Sequence, residues 1–101
     1  MTPTNRLLAC LDVCEASGLF DSGVLARERT YVSVMGTAPT IPVADCQPSV
    51  TIYMRRDGVH FSLGGTMPID GAGVARYAAT LTRVAEVAAK CDAILRVTSA
   101  V

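Results

Sequence analysis

The sequence has no tryptophan, five aromatic residues, a single histidine (His60) and a single lysine (Lys90). A core without Trp must be built from Val, Leu, Ile, Met and Ala, and Ala fills so little space that the elements carrying it must approach closely. There is no excess of charge of either sign: nine basic residues balance nine acidic ones. Binding nucleic acid by charge requires clustered Lys and Arg in excess, so a nucleic-acid-associated regulator is expected only as a minor alternative. No apolar run approaches the ~18 residues of a membrane span. Residues 1–12 lack the basic start, apolar stretch and cleavage site of a secretory leader. The expected compartment is therefore the cytoplasm, where the four cysteines stay reduced.

What is present suffices for a single domain over residues 1–101. Half the residues are hydrophobic, enough for a core at this length. Thr2-Pro3 is a cap followed by the residue suited to a first helical position. Leu7, Leu8, Leu11 and Cys14 then recur at helical spacing, and Gly18 is the natural stop. A helix is predicted over 3–17. Residues 18–29 read either as loop or as one short helical turn capped by Asp21. Arg29 to Met35 alternates, with Val32 and Val34 on one side and Tyr31, Ser33 and Met35 on the other, and is read as a strand. Gly36 to Pro48, with three prolines, is read as a loop.

Asp57-Gly58 is a type I′ turn signal between alternating segments. It predicts a hairpin from Val50 to Leu63 in which Arg56 faces Val59, Met54 faces Phe61 and Ile52 faces Leu63. The other face then carries Thr51, Tyr53 and Arg55 opposite Gly64, Ser62 and His60. Asp70 caps a last helix over 71–96. At 1.5 Å per residue it is about 39 Å long, beyond the reach of a seven-residue strand at about 23 Å. Its excess must pack on the first helix, a second subunit or a partner. The expected fold is α+β, a two-layer α-β-β-β-α arrangement with a three-stranded antiparallel sheet on an N-terminal helix and a long C-terminal helix.

Four constellations invite chemistry. Cys10 and Cys14 share one side of a helix and form half of a metal site, but no second close pair completes it, and core packing is the better reading. A nucleophilic Cys46–His60 pair oriented by Asp45 is weaker than a surface His60 on the polar sheet face. No catalytic residue, metal or cofactor is therefore expected. Gly71, Gly73 and Arg76 at a helix start suggest an anion or small-ligand site, although Asp70 puts a carboxylate where the anion would sit. Tyr31, Met35, Tyr53, Arg55, His60 and Ser62 gather on the polar sheet face in this reading, with Arg56 beside them at the hairpin tip. Aromatics, Met and Arg are the residues of protein interfaces, so this face is the leading candidate for binding a host or cognate protein, with a homodimer through the last helix also expected.

The segment Arg56-Asp57-Gly58-Val59-His60-Phe61-Ser62-Leu63, with Ala75-Arg76-Tyr77-Ala78-Ala79-Thr80-Leu81, Ala85 and Ala88-Ala89, resembles a hairpin-plus-Ala-rich-helix pattern in small proteins of actinobacteria and their phages. The resemblance covers about residues 50–93. It implies a non-enzymatic inhibitor or modulator of a host protein, a class that includes anti-CRISPR proteins.

Overall fold

A computed structural model describes residues 2–55, 57–65 and 68–96. The chain is α+β, and its described residues form three helices and one three-stranded antiparallel sheet. Helix α1 spans Pro3–Ser17, as its end signals dictate. The Thr2 hydroxyl accepts the Asn5 N–H at 3.1 Å, and Gly18 closes the helix at φ 72°. The chain beyond Gly18 is held by a side chain. Ser17 Oγ donates to the Cys14 carbonyl at 2.6 Å and accepts the Leu19 N–H at 3.2 Å.

Helix α2, Ser22–Met35, corrects the sequence reading. Residues 29–35 are helical, not a strand, and Asp21 caps the whole helix by accepting the Val24 N–H at 3.0 Å. Thr30, Val32 and Val34 favour strands by their branching, but Leu25 and Val32, two turns apart on one helical face, are the residues buried here. Arg29, between them, bridges Asp12 and Glu15 of α1 at 2.6 and 2.7 Å. Packing against α1 therefore overrides local preference.

The first strand lies inside the segment read as loop. β1, Thr40–Pro42, pairs with β2, Val50–Arg55, which pairs in turn with β3, Gly58–Leu63. The hairpin register also differs from expectation. Val50 faces Leu63, Ile52 faces Phe61, Met54 faces Val59, and Arg55 faces Gly58 as the closing pair. The expected Arg56–Val59 pair involves a residue outside those described. The shift is two residues, so every side chain keeps its predicted face. Gly58 serves another purpose than the expected turn. At φ 132°, a Cβ there would stand 2.6 Å from Asp92 Oδ1, so the missing side chain admits the carboxylate of the last helix.

Helix α3, Gly71–Arg96, begins where predicted. Asp70 Oδ1 accepts the Gly73 N–H at 2.7 Å. One core unites the layers: Leu11 of α1, Val32 of α2, Ile41 of β1, Ile52 and Met54 of β2, and Cys91 of α3. All three helices thus cover the sheet face bearing Val50, Ile52 and Met54. Arg83 donates to the Ser17 carbonyl at 2.8 Å, tying α3 to the negative end of α1. The excess length of α3 is only partly taken up by α1. Val84, Val87, Cys91 and Leu95 are buried, whereas Val74 is 51% exposed.

Candidate functional site

The expected polar-face cluster is divided by the fold. Tyr53 and His60 are cross-strand partners, as are Thr51 and Ser62. Arg55 sets its guanidinium carbon 6.0 Å from the Tyr53 ring centre, the outer limit of a cation–π contact. Tyr31 and Met35 are not on this sheet. They lie on α2 and, with Val34, form a separate exposed apolar patch. Arg56 lies outside the described residues. His60 Nε2 sits 3.0 Å from Asp57 Oδ1, and that hydrogen bond holds the Asp57 carboxyl below its usual range.

The suggested Cys46–His60 pair does not form. Cys46 Sγ donates to the Pro48 carbonyl at 3.3 Å, and burial pushes its thiol pKa up. It lines a cavity of about 520 Å³ that His60 does not line. That cavity does include Gly73 and Arg76 of the suggested anion site, with Asp45, Asp70 and Tyr77, but not Gly71. The N–H a bound anion would use at Gly73 is already taken by Asp70. Two carboxylates on the wall also oppose an anion electrostatically.

Cys10 and Cys14 are fully buried, and Cys91 completes a thiol cluster with them across the α1–α3 contact. Cys10 Sγ donates to the Cys91 carbonyl and Cys91 Sγ to the Cys10 carbonyl, both at 3.7 Å. Hydrogen bonding to Cys91, then burial, holds the Cys10 and Cys14 thiols above their ordinary range. The same hydrogen bonds lower Cys91. Among the described residues, no three His, Cys, Asp or Glu side chains are placed to hold a metal ion. Among the described residues, no helix is long and apolar enough to cross a membrane.

One site escaped the sequence reading. Phe61 and Leu63 share the face of β3 that points toward the helices, yet they are 43% and 64% exposed. Between β3 and α3 runs an apolar groove of about 410 Å³, floored by Val50 and Val84, with Phe61 and Leu63 on one wall and Ala85 and Ala89 on the other. The signal lay in the alanines, which are too small to cover a Phe and a Leu on the last strand of a sheet. The Asp92 carboxylate closes one end by accepting the Val59 N–H at 2.7 Å.

No family model, no curated protein and no solved structure matches the chain.

Proposed function

We propose that the chain is a non-enzymatic protein-binding module, acting as an inhibitor or modulator in the cytoplasm, and that it meets its partner along the open side of β3 and α3. The observation that carries this reading is the exposure of Phe61 and Leu63 beside an apolar groove. Contiguous apolar surface of this kind, rimmed by polar groups, marks interaction sites in soluble proteins. Large anchors set beside a depression are the usual centres of binding energy.

The test is affinity capture from the native host with wild type, Leu63→Asp and a Tyr53→Ala/Arg55→Ala double variant. A specific partner retained by the double variant and lost by Leu63→Asp supports the reading. A partner retained by Leu63→Asp and lost by the double variant moves the site to the polar face. Turnover of a small molecule by the purified chain, unaffected by either change, refutes the module reading.

A further inference from the structure

The groove borders a strand edge that also lacks a partner. In the order β1-β2-β3, no described strand pairs with the far side of β3. Which backbone groups face outward follows from the ladder. Gly64 donates its N–H to the Ser49 carbonyl at 2.9 Å, so Gly64 and, by alternation, Ser62 and His60 point toward β2. Val59, Phe61 and Leu63 point away from it. Asp92 accepts the Val59 N–H, which closes the edge at the turn end. Among the described residues nothing pairs with the outward edge groups of Phe61 and Leu63, the same two residues whose side chains are exposed.

We infer that the occupant of this edge is a second copy of the chain, joined by antiparallel pairing of β3 with β3 about a two-fold axis at Ser62. This rests on the reading above that the open side of β3 and α3 binds protein, and it gives that side to a second copy of the chain in place of a separate target. In that register Phe61 faces Leu63 of the other copy, and the two exchange the open backbone hydrogen bonds. Their side chains meet on the helix side, so both anchors are covered by one contact. The Val59 positions fall outside the pairing, where Asp92 already serves them.

The neighbouring face of α3 fits the same axis. Val74, Ala78, Leu81, Ala85 and Ala89 follow one another at helical spacing, with no charge before Asp92. Alanines at the crossing let two helices approach to about 8 Å. The axis at Ser62 puts the two Asp92 carboxylates at opposite ends of the interface, so they do not repel each other. The chain has no formal net charge to keep copies apart. Phe61, Leu63 and Val74 are 43%, 64% and 51% exposed, and one two-fold contact covers all three. A large wall and a small wall on the same patch make it self-complementary, as a two-fold contact requires.

Sedimentation equilibrium of the purified full chain measures the outcome. Wild type is expected to sediment as a dimer of 10.6 kDa chains. Leu63→Pro keeps an apolar side chain and removes only an outward N–H, which an edge strand tolerates. It is expected to weaken dimerisation at least about tenfold, with an unchanged circular dichroism spectrum. Ser62→Cys reports the register without disturbing the fold. Ser62 and its symmetry mate form a non-hydrogen-bonded pair with Cα atoms about 4.5 Å apart, inside disulfide range. Oxidised glutathione should therefore link Ser62→Cys chains covalently into dimers, two thiols being oxidised as one glutathione disulfide is reduced. A wild-type monomer overturns the inference, as does a dimer that survives Leu63→Pro without forming the Ser62→Cys link. A monomer that still captures another protein through Leu63 leaves the binding reading standing and removes only the self-pairing.

Discussion

Asp92 is the residue on which the hairpin and the last helix depend jointly. Its Oδ1 accepts the Val59 N–H at 2.7 Å and occupies the space a Cβ at Gly58 would need. Asp92→Ala leaves a partly buried N–H without its acceptor, a loss of about 1–3 kcal/mol. Asp92→Asn keeps an acceptor oxygen and should lose less, and urea unfolding of the two variants measures the difference. A second residue-scale effect belongs to Asp57. Its hydrogen bond to His60 lowers the carboxyl pKa in the folded state. The ionised form is thus favoured by folding above the unfolded pKa, and that preference disappears as pH falls through the folded value. Carboxyl NMR titration should show the Asp57 midpoint moving up in His60→Gln.

At the scale of elements, α2 separates two readings of the same residues. If 29–35 were a strand, Val34→Ala would weaken it. In the helix, Val34 is 78% exposed, and Ala has the higher helix propensity. Val34→Ala should be neutral or stabilising by a few tenths of a kcal/mol, whereas Val32→Ala in the core should cost about 1–3 kcal/mol. Thermal unfolding of the pair decides the sign.

The same contrast explains what could be read from sequence. The bounds of α1 and the start of α3 were legible because Thr2, Pro3, Gly18 and Asp70 act locally. The hairpin faces were legible because strand period is two. The register was not, because Gly58 answers to Asp92, a residue 34 positions further along the chain. The helix at 22–35 was hidden because burial of Leu25 and Val32 depends on α1. The polar-face cluster was half right: Tyr53, His60 and Ser62 share the sheet face, but Tyr31 and Met35 went with α2. The groove was invisible because it arises from what α3 fails to cover.

Over the whole molecule, 46 by 29 by 22 Å, the long axis is of the order of α3's own length. The thiol cluster, through Cys91, fastens the C-terminal third of this helix to α1. Cys10, Cys14 and Cys91 have no solvent access, and access governs thiol reactivity as much as ionisation does. Native labelling with a thiol reagent should therefore leave these three unmodified, and denaturant should release them together.

The segment Thr30-Tyr31-Val32-Ser33-Val34-Met35 has one more consequence. It is six residues of high β-propensity, without charge, Gly or Pro, the composition of a steric zipper. The native helix sequesters it between Arg29 and Gly36, and the Asp21 cap holds the helix closed. Asp21→Ala weakens that cap by about 1 kcal/mol and should shorten the lag before thioflavin-positive fibrils appear at elevated temperature.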